Sequence, residues 1–163
     1  MLNKTCFSTE LGVISVEDDG RALTKIKFEP PAALHETQAP SPLAQRTIRQ
    51  LSEYFAGSRR AFSLPLAPQG TPFMLEVWQA LLNIPYGEVR AYRDIAQLIG
   101  RPKAARAVGM ANNRNPLPIV IPCHRVVGAD GGLVGYAGGL LLKEKLLFIE
   151  SGRQKCRDSE NRT

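Results

Sequence analysis

The 163-residue sequence predicts an α/β chain in two parts: an N-terminal antiparallel sheet with a helix, then a mostly α-helical, helix-turn-helix-like part. Three observations carry this. Between Leu2 and Phe28, apolar and polar residues alternate around Gly12 and Asp18-Asp19-Gly20, the period of half-buried strands joined by tight turns. Farther on, apolar residues recur every three or four positions, the period of helices buried on one face. Gly100-Arg101-Pro102 then separates two such helices, the second of them basic.

In chain order, Val13-Ile14-Ser15-Val16 and Leu23-Thr24-Lys25-Ile26-Lys27-Phe28 read as strands. A proline-rich connection from Pro30 to Pro42 leads to a helix from about Leu43 to Phe55, stopped at Gly57. Ser63 to Gly70 reads as a last short strand and a linker. The division into domains is therefore expected near residue 70, giving 1–70, 71–152 and a basic C-terminal tail, 153–163. Thr71-Pro72 is a capping signal for a helix from about Phe73 to Asn83. A second helix is expected from about Tyr92 to Ile99. A third opens at Pro102 and runs through Lys103, Arg106 and Met110. Asn115 to Ile121, β-branched and bounded by prolines, reads as an extended segment delivering Cys123 to the edge of the core. The glycines from Gly128 to Gly139 mark a tightly turning loop, fit to lie against a ligand.

The formal charge of +6 and pI of about 9.5 favour an anionic partner such as nucleic acid. Three scattered cysteines, Cys6, Cys123 and Cys156, exclude a disulfide framework, and with only His35 and His124 beside them no metal site is expected. Nothing near Met1 resembles a secretion signal and no apolar run approaches spanning length, so a cytoplasmic protein without membrane contact is expected.

Ile121-Pro122-Cys123-His124-Arg125-Val126 sets a thiol beside an imidazole. A thiol is nucleophilic as thiolate and needs a base nearby, so Cys123 is the candidate nucleophile; a buried, inert cysteine gives the same pattern. Likewise Arg106 is either a groove-reading cation or a solvated helix residue, and Glu150, ending the run Leu140 to Ile149, reads by itself as solvent-facing.

Together Pro85-Tyr86-Gly87-Glu88-Val89, Tyr92, Ala104 to Gly109, Asn115-Pro116, Ile121 to Val126, Gly135 to Leu140 and Glu150 resemble, in order and spacing, the O6-alkylguanine-DNA alkyltransferases. These are also called methylated-DNA-protein-cysteine methyltransferases. The likeness is close from about Thr71 to Glu150 and looser before that. It implies a ribonuclease-H-like first domain and a winged helix-turn-helix-like second one. It also implies a monomer that binds double-stranded DNA, flips out an O6-alkylguanine and transfers the alkyl group irreversibly to Cys123, once per molecule and without a cofactor.

By the same resemblance Glu150 orients His124, which draws the Cys123 proton through a water molecule, and Asn115 braces the active-site turn. Tyr92 helps protonate the leaving base, Arg106 fills the vacated stack from the minor groove, and Val126, Tyr136, Ala137 and Gly138 line the lesion pocket. Arg101, Lys103, Ala105 and Arg125 join Arg106 at the DNA. Alternative readings are a non-catalytic lesion binder, which the presence of Cys123 disfavours, a helix-turn-helix regulator, and a cysteine hydrolase. O4-alkylthymine as a second substrate is left open.

Overall fold

The computed structural model describes residues 2–136 and 138–152, so the expectations for Ala137, Cys156 and the tail 153–163 lie outside it. Strands β1 (Asn3–Thr9), β2 (Gly12–Asp18) and β3 (Leu23–Glu29) form an antiparallel sheet in that order, with Cys6 opposite Ser15 and Val16 opposite Ile26. A bulge at Glu17/Asp18 turns Asp18 inward, where Asn3 Nδ2, the Gly20 amide and Ser41 Oγ all donate to its carboxylate. Ser41 also caps helix α1 (Pro42–Phe55), accepting the Ala44 amide at 3.0 Å. The same side chain thus ties the sheet to the helix that covers it. Ala44, Thr47, Leu51, Tyr54 and Phe55 form the buried face of α1.

The expected strand within Ser63–Gly70 is a single parallel bridge between Leu66 and Leu23. Leu23 exchanges bonds with the Pro65 carbonyl and the Ala67 amide, but Pro65 and Pro68 have no N–H to continue a ladder.

Helix α2 (Pro72–Leu81) starts at the Thr71 cap, whose hydroxyl accepts the Met74 amide at 3.2 Å. Helices α3 (Tyr92–Leu98) and α4 (Ala105–Asn113) pack on it. Helix α4 starts three residues after Pro102, because Ala104 first closes a turn onto Arg101. Trp78 Nε1 donates to the Ala111 carbonyl at 2.8 Å and fixes α2 against α4. Strands β4 (Arg90–Ala91) and β5 (Val126–Val127) form a two-residue parallel pair, too short to leave a periodic trace in sequence. Helix α5 (Leu140–Glu150) closes the described chain.

Asn115–Ile121 is not extended. It curls into a turn in which the Ile121 amide donates to the Leu117 carbonyl, with Ile119 in the left-handed region at φ 76°. Pro116 and Pro118 remove two ladder donors, and Asn115 supplies the alternative. Its Oδ1 accepts the Leu117 amide at 2.9 Å and its Nδ2 donates to the Ile121 carbonyl at 2.8 Å. One continuous core joins Ile14, Val16, Ile26 and Leu51 of the first half to Val77, Leu81, Ile121 and Leu146 of the second. Among the described residues no helix is long and apolar enough to cross a membrane.

Candidate active site

The Asn115-braced turn feeds directly into Cys123, first residue of a 3-10 turn, Cys123–Arg125, and only 2% exposed. Asn112 Nδ2 holds the Cys123 carbonyl at 3.3 Å. Burial pushes the thiol up to about 11, against the opposing pull of the Asn115 side chain, the Lys143 charge and the amides of Cys123 and His124. At neutral pH Cys123 is a thiol.

His124 is fully buried. Its Nε2 lies 2.5 Å from Glu150 Oε2, while Nδ1 is buried without a hydrogen-bond partner. Burial lowers the imidazole pKa, with the Arg125 and Lys143 charges adding to it, although Glu150 pulls the other way. A neutral ring beside a carboxylate carries its proton on Nε2, which leaves the Nδ1 lone pair as the base.

Glu150 is the hub. Burial opposes its ionisation, but His124 and Arg125, then Tyr54, donate to it and hold its carboxyl at about 2. Arg125 Nε reaches Oε1 at 2.8 Å and the second Arg125 nitrogen reaches Oε2 at 3.1 Å, a bidentate pair. The Gly87 amide adds a bond to Oε1 at 3.1 Å. Gly87 has φ 82°, and a Cβ there would press on the Glu150 carbonyl at 3.3 Å, so glycine serves both the turn and the approach. The isolated sequence reading of a solvent-facing Glu150 is overturned: five donors make its burial affordable.

Arg125 was expected at the DNA. Instead it is buried, paired with Glu150, donating to the Ile84 carbonyl at 2.7 Å and lying over the Tyr86 ring. Its three guanidinium nitrogens are all committed inside the protein, to the Glu150 carboxylate and the Ile84 carbonyl. The Val126 side chain sits in the core, and its carbonyl accepts from Lys143 Nζ at 2.6 Å.

Tyr92 is half-buried and donates to the Val134 carbonyl at 2.8 Å; burial, then the Cys123 charge, raises its phenol pKa. The Tyr136 hydroxyl is buried without a partner, and its ring lies 6.4 Å from Phe28 of the sheet. Gly138 is exposed, backed by Leu142 and Phe28. The Cys123 charge acts on the Tyr136 phenol, so the loop brings Tyr136 near the thiol, while Gly138 lies against Leu142 and Phe28. Arg106 and Lys103 are exposed and without ion pairs among the described residues, and Ala105 is half-buried beside them. Arg101 is exposed but pairs with Glu76 at 3.6 Å.

Sequence reasoning passed over Tyr54 and Lys143. Lys143 falls on the face of α5 that also carries Leu146 and Glu150, a spacing that marks it as inward-facing. Tyr54 lies one turn from Leu51 on the buried face of α1.

No group of three or more His, Cys, Asp or Glu residues able to hold a metal ion occurs among the described residues.

Residues 72–152 match the family model of the 6-O-methylguanine DNA methyltransferase DNA binding domain, and residues 2–68 that of its ribonuclease-like domain. The chain is 47% identical over 151 residues to a methylated-DNA-protein-cysteine methyltransferase of Methanosarcina acetivorans, covering 88% of this chain and 95% of the relative. It is 61% identical over 111 residues to the constitutive enzyme of that name from Bacillus subtilis, covering 68% of this chain and 67% of the relative. The crystal structure of Mycobacterium tuberculosis OGT in complex with DNA superposes with a TM-score of 0.83 at 42% identity, covering 93% of this chain and 94% of that one. Sheet and helix first, DNA-binding helices second, with one cysteine set against a histidine and a buried glutamate: the chain belongs to the 6-O-methylguanine DNA methyltransferase family.

Proposed function

We propose that this protein binds duplex DNA, takes an O6-alkylguanine out of the stack and moves its alkyl group to Cys123, once per molecule. The observation that carries the reading is the buried His124–Glu150 pair on the residue next to buried Cys123, in which Nδ1 is the uncommitted base. The sulfur attacks the alkyl carbon, and a C–S bond forms as the bond to O6 breaks. The thiol proton passes to His124 through a water molecule. Glu150, ionised far below neutral pH, stabilises the imidazolium that forms. The guanine takes a proton from the Tyr92 hydroxyl, which recovers it from the imidazolium through solvent. The net change exchanges alkyl for hydrogen between base and sulfur.

Residues 71–152 do the reading and the transfer, and residues 1–70 close the site from behind. Arg106 is the stack-filling residue, since it is the long exposed cation on α4 between the small side chains Ala105 and Ala107. Lys103, Arg101 and Ala105 lie along the same docking surface, and Tyr136, Gly138 and the Val126 backbone border the extruded base. The protein acts as a cytoplasmic monomer, with the thioether as its end state.

Incubation with an oligonucleotide carrying O6-methylguanine, followed by peptide mass analysis, tests the reading. One methyl group is expected on the Cys123 peptide and none on Cys6 or Cys156. His124→Ala should slow single-turnover transfer roughly a hundredfold with DNA affinity retained. Repeated turnover, or methylation at another cysteine, overturns the assignment.

A further inference from the structure

Among the donors to Glu150, one comes from the other half of the chain. Tyr54, on α1, donates its hydroxyl to Glu150 Oε2 at 2.5 Å, and its oxygen lies 3.4 Å from His124 Nε2. The phenol, the imidazole and the carboxylate oxygen therefore meet at one point. The ring is fully buried and set by Phe55, Phe62 and Tyr86, with centroids 5.8, 5.4 and 6.2 Å away. A tyrosine serving only to fill the core could satisfy its hydroxyl on any nearby carbonyl. This one uses the oxygen on which the imidazole depends.

We propose that Tyr54 is a positioning residue for alkyl transfer, sharing Glu150 Oε2 with His124 so that the carboxylate orients the imidazole without capturing a proton on it in the resting state. The proposal rests on the His124–Glu150 relay described above. Oε2 receives His124, Tyr54 and one Arg125 nitrogen, so its negative charge is divided among three donors. A carboxylate relieved in this way pulls less on any one of them. The ring then stays neutral with its Nδ1 lone pair available. When the thiol proton arrives, Oε2 is already in place to stabilise the cation.

The charged and titratable groups acting on His124 are Glu150 and Lys143 on α5, Arg125 on its own turn, and Tyr54 on α1, with Tyr86 behind Tyr54 and Arg125 and Cys123 its neighbour in the chain. Tyr54→Phe removes one hydroxyl and leaves every formal charge and the ring packing in place. The undivided charge of Oε2 then falls on Nε2–H, so protonation of His124 becomes easier.

The experiment uses the full chain with imidazole nitrogens labelled. The His124 signal is followed through its titration in the parent and in the variant. In Tyr54→Phe the His124 titration should move to higher pH. The acid limb of the single-turnover rate should move with it, and transfer near pH 7 should slow roughly tenfold, the scale of losing one bond to a charged group. Duplex affinity should be unchanged. In a Glu150→Gln background, the same Tyr54→Phe change should leave the His124 titration where it is.

A folded Tyr54→Phe protein whose His124 titration and acid limb match the parent's overturns the proposal and returns Tyr54 to the core. An unaltered rate in His124→Ala instead removes the relay itself, so the two failures are told apart.

Discussion

Lys143 Nζ donates to the Val126 carbonyl at 2.6 Å, binding the N-terminal part of α5 to strand β5. The same ammonium reaches the Val134 and Gly135 carbonyls at 3.0 and 3.3 Å, so one cation joins β5, α5 and the loop that precedes Tyr136. Burial lowers its pKa and the Cys123 charge raises it.

Replacing Lys143 by Met keeps the stem and deletes the donors, taking this partner from the Val126 and Gly135 carbonyls while Tyr92 still donates to that of Val134. A loss of about 2–4 kcal/mol in unfolding free energy is expected. Transfer should slow as well, because the thiol loses a charge that holds its pKa down. Denaturant titration and single-turnover kinetics measure the two effects. Parent-like values in both would show that the carbonyl cluster does not hold the loop.

Arg106 is exposed, so Arg106→Ala should leave stability within about 0.5 kcal/mol of the parent. Rotating a nucleotide out costs a few kcal/mol. The variant should therefore lose most of its reaction with duplex O6-methylguanine while still reacting with free O6-benzylguanine, provided the pocket admits that base. The ratio of the two rates at fixed salt and saturating DNA is the measurement, and an unchanged ratio assigns Arg106 to the solvated helix surface.

Two buried groups give the stability curve two separate steps in acid. His124 has its pKa lowered by folding, so the unfolded chain binds the proton more readily and stability falls as pH drops below about 6.5, the unfolded value. Glu150 has its carboxyl held at about 2, so its contribution is complete above the unfolded carboxyl range near 4.3 and is lost as pH falls toward 2. His124→Ala should flatten the first step only. Glu150→Gln should flatten the second, and it should destabilise the protein by about 3–5 kcal/mol at neutral pH by leaving Arg125 buried and uncompensated. Melting temperatures from pH 8 down to pH 3 decide both. A first step that survives in His124→Ala must come from another group.

The elements with strong periodicity were readable in advance. Leu23 to Phe28 was legible as a strand by its alternation and Val13 to Val16 by its β-branched residues, although all four of the latter are buried, and the Thr71 cap fixes one helix start. What escaped was whatever depends on contacts far apart in sequence. Arg125 and Glu150 are separated by 25 positions, and each alone reads as a surface charge; only together does their burial become affordable. The turn at Asn115–Ile121 was misread for a local reason. Its β-branched run has strand composition, and the left-handed Ile119 that breaks the strand is imposed by hydrogen bonds from Asn115 that composition does not report. Cys123 and His124 were found because the thiol and its base are neighbours in the chain. Tyr54, 70 positions from His124, was not.

The bond from Trp78 to the Ala111 carbonyl gives the molecule a built-in optical reporter. Trp78 is the chain's only tryptophan, 2% exposed, and its indole N–H is committed to the helix that carries Arg106. Gly70 lies so close that a Cβ there would come within 2.6 Å of the indole ring, which seals the chromophore from the linker side. Native indole emission therefore arises from one dry, hydrogen-bonded environment between α2 and α4. Its shift to longer wavelength on melting follows the separation of those two helices, whatever the fate of the sheet.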